Sequence, residues 1–337
     1  MADYININGN NIPIRASDPT NPITGEIWYN TTSNSLKGQG VTTVGSWATG
    51  GSLNTARNSI NNGSVIGTQT AGVAAGGVTV PVARTNNTEE YNGSAWTNVN
   101  PMNNTLSSRG TAGTQTAGLA SGGLPNPVAV ANSEEYNGTS WTNGNAMNNA
   151  RGYGHVQTGT QDAAMAAGGY NPPVTFVTAT EFYDGTSWTN QVATIQPHYA
   201  GGSAGNQTSA WYVGAGGVSP APANKLTYNW DGTSWTASNP YNDTSKVNFF
   251  SAGPPGGTTG YIAGGDYDPG VSTNTEEYDG TSWTNSPANM NTGRSVGGNC
   301  GNLSAGLAVG GNIPPRVATT EEWTGPGVPT TVTFSSS

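Results

Sequence analysis

The sequence contains few charges, one cysteine, two histidines and no long apolar run. Charged residues make up 9% of its 337 residues, and 10 Lys and Arg against 19 Asp and Glu give a formal net charge of −9. A nucleic-acid-binding surface needs many Lys and Arg side chains to neutralise the phosphates, and this chain has few. We therefore expect no nucleic-acid partner. Cys300 stands alone, which excludes an internal disulfide framework and, with only two histidines, disfavours a Cys/His metal centre. We therefore expect no cofactor, and stability that comes from packing and strand pairing.

The chain also lacks segments that would direct it into a membrane. No apolar run approaches the roughly 20 residues that a membrane-spanning helix needs. The first residues lack the basic and apolar regions of a secretion signal. We therefore expect no signal peptide and no membrane insertion.

A short aromatic motif recurs along the chain. Its clearest copy places Tyr136 and Trp141 on either side of Asn137 and Gly138. Asn-Gly and Asp-Gly tolerate the positive φ angles of a tight turn, so each copy predicts a strand, a turn and a second strand. The tryptophans predicted to mark the repeat are Trp47, Trp96, Trp141, Trp188, Trp235 and Trp283.

A second motif, a small-apolar strand that ends in Gly-Gly, alternates with the first at intervals of about 47 residues. The second glycines of these pairs are Gly77, Gly123, Gly169, Gly217, Gly265 and Gly311. Paired glycines let backbones approach closely, which suits the inner strands of a crowded sheet. A preceding Gly-Thr-Gln turn, as at Gly67, would join strand a to this strand b, and the aromatic motif supplies strands c and d. Units of this length with four strands match a propeller better than a helical repeat.

The order of Gly-Gly, Glu-X-Tyr, Trp and Met/Leu-X-X-X-Arg resembles the kelch repeat, from Trp47 to Trp323. The resemblance implies an all-β, six-bladed kelch-like β-propeller. The last unit has no tryptophan five residues after Trp323, so we expect the strand of Trp47 to complete that blade and remove both exposed edges. An alternative has seven blades, in which strands at Trp28, Leu36 and Trp47 join the C-terminal stretch 330–334.

The predicted organisation has three parts. Residues 1–45 form an N-terminal arm with a hairpin that attaches the protein to an assembly. Residues 46–325 form the propeller, and residues 326–337 a C-terminal strand or tail.

The Asn-Gly-Thr-Ser-Trp turns and the segment 26–37 resemble tail-fibre and other virion structural proteins of tailed bacteriophages, especially marine ones. That resemblance implies a non-enzymatic virion structural protein, assembled in the host cytoplasm and located in the tail. Its implied partners are other virion proteins, further copies of itself and a host-surface polysaccharide bound by displayed loops. Two alternatives stay open. One is a purely structural building block that packs on neighbouring subunits, and the other is a glycan-cleaving enzyme.

Each predicted blade has two short turns on one face and two long, variable loops, b-to-c and d-to-a, on the other. Function is expected on the long-loop face. One cationic position recurs in the d-to-a loops, at Arg57, Arg109, Arg151, His198, Lys246 and Arg294. These side chains would ring the mouth of the central channel, where they could bind a carboxylate, sulfate or phosphate. In the alternative, each pairs with an acidic side chain of strand c as a structural tie, and the matching period of the acidic residues favours this alternative.

No constellation in the sequence predicts catalysis. Glu134 and Glu135 are adjacent on a strand and point to opposite faces, so they cannot act as an acid/base pair on one substrate. His155 and His198 lie one unit apart, and no nucleophile triad or phosphate loop is visible. We therefore expect no enzymatic activity.

Overall fold

The structure is a computed structural model that describes residues 6–7, 10–41, 44–58, 65–125, 128–171, 175–215, 224–244, 246–267, 270–313, 315–327 and 329–334. Every regular element of these residues is a β-strand, so none of them belongs to a helix that could cross a membrane. The chain divides into two compact units. The first consists of Met1–Gly45 with Gly325–Ser337, and the second of Ser46–Thr324.

The described part of the second unit contains six four-stranded antiparallel sheets, whose strands a to d are hydrogen-bonded in that order. Sheet 1 consists of Ile66–Thr68, Ala71–Ala75, Thr88–Tyr91 and Trp96–Val99. Sheet 2 consists of Gly110–Thr114, Ala117–Ser121, Ser133–Tyr136 and Trp141–Gly144. Sheet 3 consists of Val156–Gly159, Ala164–Ala167, Thr180–Tyr183 and Trp188–Gln191. Sheet 4 consists of Gly202–Gly205, Ala210–Ala215, Asn224–Trp230 and Trp235–Ser238. Sheet 5 consists of Phe250–Ala252, Gly260–Ala263, Thr275–Tyr278 and Trp283–Asn285. Sheet 6 consists of Gly298–Gly301, Ala305–Val309, Thr320–Thr324 and Ser46–Gly50.

Shorter strands lie in the long loops of this unit. Where the structure describes these loops, the strands form one three-stranded sheet of Arg57–Asn58, Val78–Thr79 and Ala83–Arg84, and two antiparallel pairs, Tyr170–Asn171 with Thr175–Phe176 and Asp266–Tyr267 with Gly270–Val271. The six four-stranded sheets confirm the unit of four strands that the two sequence motifs predicted.

The outer strand of sheet 6 comes from the start of the second unit. Ser46–Gly50 pairs with Thr320–Thr324, and Trp47 lies opposite Trp323 with 5.3 Å between ring centroids. The predicted pairing of the Trp47 strand with the last repeat is confirmed. The alternative that placed Trp47 in one sheet with Trp28 and Leu36 is wrong, because the latter two pair with each other's strands in the first unit.

The Gly-Gly pairs mark the point where strand b ends and the chain turns away. Gly122 and Gly123 have φ angles of 63° and 117°, which L side chains rarely adopt. A Cβ atom on Gly122 would lie 2.4 Å from the Arg151 carbonyl oxygen, and one on Gly123 would lie 2.8 Å from Cγ of Arg109. The glycines therefore make room for the loop that carries the cations. Gly77, Gly169, Gly265 and Gly311 also have positive φ, whereas Gly217 lies outside the described residues.

The core of the second unit lies between neighbouring sheets. Each repeat tryptophan of strand d is buried and donates its indole N–H, over 2.7 to 3.2 Å, to a Thr or Ser hydroxyl of strand c in the preceding sheet. The six pairs are Trp96–Thr320, Trp141–Thr88, Trp188–Ser133, Trp235–Thr180, Trp283–Thr227 and Trp47–Thr275. Through Trp96 and Thr320, sheet 1 bonds to sheet 6.

The first unit contains one four-stranded sheet and a short hairpin of Asn6–Ile7 with Asn10–Asn11. Its order is Ile14–Arg15, Ile27–Asn30, Ser35–Val41 and Pro329–Phe334, with the first pair parallel and the others antiparallel. The predicted strands at Trp28 and Leu36 thus form a hairpin. The C-terminal strand belongs to the same sheet.

Candidate binding surface

Four arginines of the predicted cation ring form buried ion pairs with strand c. Arg57 Nη1 lies 2.8 Å from Glu89 Oε1, and Arg109 Nη1 lies 2.5 Å from Glu134 Oε1. Arg151 pairs with Glu181 and Arg294 with Glu321 in the same way. All eight side chains are at most 2% exposed.

These contacts do not create an open anion site at the channel mouth. Burial lowers the pKa of each arginine, and the charge of its glutamate opposes that shift. The guanidinium groups also donate to carbonyls of strand b, such as Arg109 Nη2 to Ala120 O over 2.8 Å and Arg57 Nη2 to Ala74 O over 3.1 Å. The arrangement is the one expected of a structural tie between the incoming loop and the sheet.

Sheet 4 replaces the ion pair with an aromatic stack. Tyr228 occupies the strand c position that holds glutamate in the other sheets, and His198 takes the place of the arginine. The His198 ring stacks on Tyr212 at 3.8 Å, and Tyr212 stacks on Tyr228 at 4.8 Å. Burial, with a smaller contribution from the charge of Arg151, lowers the pKa of His198 to about 3. Sheet 4 lacks the strand c glutamate, and a neutral histidine stands where the other sheets have a cation, because a buried cation without a partner is costly.

Sheet 5 uses a third solution. Lys246 is buried and lies 3.2 Å from Asp243 in its own loop, while Glu276 accepts the backbone N–H groups of Asn242 and Asp243. Of the six predicted cationic positions, five thus hold a buried, paired cation and one a buried neutral histidine.

In five of the six sheets, the strand c glutamate also accepts a hydrogen bond from a loop asparagine that the sequence analysis did not predict. Its backbone N–H donates to the second oxygen of the strand c glutamate over 2.6 to 2.7 Å. These asparagines are Asn54, Asn103, Asn148, Asn242 and Asn291, and each follows an apolar residue, so the recurring apolar-Asn pair was the available signal. The neighbouring glutamates point the other way, and Glu90 and Glu322 accept the tyrosine hydroxyls of Tyr136 and Tyr91 from the next sheet.

The short turns of each sheet lie side by side on one face. The Asn137 Oδ1 of a c-to-d turn accepts the N–H groups of Thr139 and Ser140, and a Cβ on Gly138 would lie 3.3 Å from Thr116 of the a-to-b turn. The a-to-b glutamines also link sheets: Gln115 Nε2 donates to two carbonyls of sheet 1. The hydrogen-bonding groups of this face are largely occupied within the fold.

The long-loop face of sheet 3 carries a cluster of four aromatic rings, which we name the aromatic patch: Tyr153, Tyr170, Phe176 and Tyr199. Tyr170 lies at its centre, 6.1 Å from Tyr153, 5.1 Å from Phe176 and 5.9 Å from Tyr199 between ring centroids. Tyr153 is 48% exposed and Phe176 is 36% exposed.

Backbone pairing holds the aromatic patch in place. Tyr170 and Phe176 are paired in the b-to-c hairpin, and Tyr170 forms a β-bridge with Gly152, the neighbour of Tyr153. Gly169 donates its N–H to the carbonyl of His198, the neighbour of Tyr199, over 2.7 Å. Three separate loops therefore meet at one site, which the sequence did not reveal because the four aromatics are spread over residues 153–199.

The exposed apolar side chains of the other described b-to-c loops lie on this long-loop face too. They are Val80, Val82, Val128 and Tyr267, between 39% and 74% exposed. Binding surfaces are commonly formed by exposed side chains on loops that differ from sheet to sheet.

Comparison with known proteins supports the architecture and gives no family. No family model matches the chain, and no curated protein matches it. Among solved structures, that of YjhT, a β-propeller-like protein, matches over 83% of this chain and 99% of its own, with a TM-score of 0.62 and 14% sequence identity. The chain has a β-propeller-like fold. An identity of 14% carries the fold alone and not the function.

The strands a of all six sheets also line a central cavity of about 180 Å³ that is partly open to solvent. Its lining is uncharged and consists mostly of Gly, Ala, Ser and Thr. Three buried polar atoms face no protein partner there: Thr111 Oγ1, Gln157 Nε2 and Asn299 Oδ1. A cavity of this size has room for several water molecules, which such polar groups would bind.

The described residues contain no group of three or more His, Cys, Asp or Glu side chains that could hold a metal ion. Burial raises the pKa of the Cys300 thiol, and His155 is buried with its pKa lowered to about 3 by burial and then by the charge of Arg151. His155 Nε2 accepts the N–H of Gly110 over 3.1 Å, so this ring has a structural role.

Proposed function

We propose that the second unit is a closed propeller of six blades, with the six four-stranded sheets as its blades. The circular sequence of Trp-to-Thr/Ser bonds supports this number, since Trp96 links sheet 1 to sheet 6 and Trp47 links sheet 6 to sheet 5. Cryo-electron microscopy class averages along the axis should show six radial sheets. Seven sheets, or an open array, would contradict the proposal.

We further propose that the protein is a non-enzymatic binding scaffold that presents the long-loop face to a partner. The aromatic patch carries this proposal. Partly exposed aromatic rings combine an apolar face with a polar edge and are enriched at binding surfaces.

The ligand class that fits the aromatic patch best is a saccharide of a host-cell surface. Flat rings can stack on the apolar faces of sugars, and tyrosine hydroxyls and loop amides can exchange hydrogen bonds with sugar hydroxyls. The resemblance of the turns to virion structural proteins adds the biological setting, in which the first unit attaches the propeller to a phage tail. The proposed partners are therefore a host polysaccharide and other tail proteins.

The test is binding of purified protein to a panel of bacterial envelope polysaccharides. The Phe176→Ala and Tyr153→Ala variants should lose at least about tenfold in affinity, corresponding to one stacking contact of about 1.4 kcal/mol. Thr116→Ala on the short-turn face is the control and should bind as the wild type does. If Phe176→Ala and Tyr153→Ala bound as tightly as Thr116→Ala and the wild type, a role for the aromatic patch would be refuted.

A second candidate function is a structural building block that packs against neighbouring subunits. The exposed Val80, Val82 and Val128 on the loops of sheets 1 and 2 support it. In that case the Val82→Asp variant would fail to enter assembled particles, whereas Phe176→Ala would enter them normally.

A further inference from the structure

The strands a of the six sheets place polar side chains at one level of the central cavity. Each strand has a glycine at or next to its end: Gly67, Gly113, Gly159, Gly205, Gly253 and Gly301. The residue two positions before this glycine lines the cavity in every sheet, and in five sheets it is polar. We name these five residues the polar belt: Thr111, Gln157, Ser203, Ser251 and Asn299. Sheet 1 has Val65 at the same level, so the strand itself also accepts an apolar side chain there.

The polar belt is buried, and part of its hydrogen-bonding capacity is unused. Thr111 is 6% exposed, Gln157 5% and Asn299 2%. Within the belt, Thr111 Oγ1, Gln157 Nε2 and Asn299 Oδ1 have no partner in the protein. The Ser121 hydroxyl donates to Gln157 Oε1, which fixes this amide and leaves its N–H groups over. A buried polar group without a partner is costly, so a ligand that supplies the missing partners would be held at the belt.

The central cavity runs from the polar belt to the short-turn face. Its lining continues along strands a to the a-to-b turns, where it includes Thr114 and Pro255, both exposed. The strand a residues just before the belt, such as Gly110 and Gly202, belong to the part of the chain that the structure describes and do not line the cavity. The belt therefore lies at the inner end, and a ligand enters from the face opposite the long loops.

The chemistry of the lining selects a neutral ligand. Among the described residues, none that lines the cavity is charged, and a buried ion without a counter-charge is costly. A carboxylate has no proton to donate to Asn299 Oδ1, and an ammonium group has no lone pair to accept from Gln157 Nε2. A hydroxyl group both donates and accepts. A molecule with several hydroxyls can therefore satisfy every unpaired atom of the belt.

We propose that the central cavity binds a small neutral polyol, held at the polar belt. Gln157 Nε2 donates to one hydroxyl, Asn299 Oδ1 accepts from another, and Thr111 Oγ1 does either. The cavity volume of about 180 Å³ has room for a molecule of about eight non-hydrogen atoms. Small-molecule sites are commonly concave pockets of this kind with a few placed polar groups. The site is separate from the aromatic patch, so the proposal does not depend on what that patch binds.

The test is saturation-transfer NMR of the purified full chain with two probes. Erythritol is a short neutral polyol, and tartrate has a carbon chain of the same length that ends in carboxylates. Erythritol should receive saturation from the protein, with a titration that gives a millimolar Kd, and tartrate should receive none. If erythritol did not bind, the belt would hold water alone and the proposal would be overturned. Equal binding of both probes would overturn it as well.

Two variants place the ligand at the polar belt. Thr111→Val removes one hydroxyl with little change of shape and gives sheet 2 the residue type that sheet 1 has at this level. It should weaken erythritol binding at least about threefold, the effect of one lost hydrogen bond. Without ligand it should unfold at a higher temperature than the wild type, because a buried hydroxyl without a partner is gone. Asn299→Leu should weaken binding in the same way.

Thr142→Val is the matched control, since it makes the same exchange at an exposed position of strand d in sheet 2. It should bind erythritol as the wild type does, and circular dichroism should show that all three variants are folded. If Thr111→Val and Asn299→Leu bound erythritol as tightly as Thr142→Val, the polar belt would not be the binding site. Loss of polysaccharide binding in the aromatic-patch variants would leave this result unchanged.

Discussion

Truncation of a buried arginine tests whether the repeated cations hold the fold together. Arg294 is fully buried, pairs with Glu321 and donates to the Ala308 carbonyl over 3.1 Å. In the Arg294→Ala variant, the Glu321 carboxylate stays buried with the N–H of Asn291 as a remaining donor. Removal of one partner from a buried pair costs about 3–5 kcal/mol, because the other charge is left uncompensated.

That loss should be visible in thermal unfolding. For a unit of this size, each kcal/mol lowers Tm by about 2–4 °C, so Arg294→Ala should lower it by roughly 10 °C. The double variant Arg294→Met/Glu321→Leu should recover most of the loss, since an apolar pair of similar volume needs no charge compensation. Arg316→Ala is the control within the same unit, because its partly exposed guanidinium donates to Asn58 and its loss should cost about 1 kcal/mol.

The ligand assay separates this interpretation from a binding role. Polysaccharide binding by folded Arg294→Ala should equal that of the wild type. A variant with unchanged Tm and weakened binding would refute the structural interpretation and restore the cations as a binding ring.

Two further predictions concern the histidines. In the folded protein, the pKa values of His155 and His198 are about 3, below the ordinary value of 6.5. Between these pH values the unfolded chain binds more protons than the folded one, so stability should fall as the pH decreases from about 6.5. Urea unfolding at pH 7 and pH 5 should show this loss, with a limiting slope of about 1.4 kcal/mol per pH unit for each histidine, and equal stability at both pH values would contradict their buried neutral state. His198→Arg should destabilise sheet 4 because it buries a cation opposite Tyr228, and added Tyr228→Glu should restore part of the loss in a denaturant titration; a His198→Arg variant as stable as the wild type would contradict the pairing rule.

Much of the second unit could be predicted because its signals are local and repeated. An Asp-Gly or Asn-Gly between two aromatics specifies a turn whatever surrounds it, and Gly-Gly marks a place where no Cβ fits. Gly123, for example, has a φ of 117°, which glycine adopts without the steric cost that a Cβ would bring. Strand b, strand c and strand d of each sheet follow from such signals.

The partners of the charged residues could not be predicted with the same ease. Arg109 reaches Glu134 from a later point in its loop than Arg151 reaches Glu181, so a fixed spacing does not identify the equivalent residue. Whether such a cation faces solvent or a carboxylate depends on the path of the loop in three dimensions. The replacement of the pair by His198 and Tyr228 likewise becomes intelligible only when both are seen on one side of sheet 4.

The amino-acid sequence alone determined the repeat and its four strands, because turn chemistry and alternation act over a few residues. The tryptophan missing from the last repeat also indicated that the Trp47 strand completes it. Only the tertiary structure brought Tyr153, Tyr170, Phe176 and Tyr199 into one patch and aligned Ile14 with Phe334 across a sheet. These contacts involve residues outside the repeat motifs, and they depend on register and loop path, which no local pattern encodes.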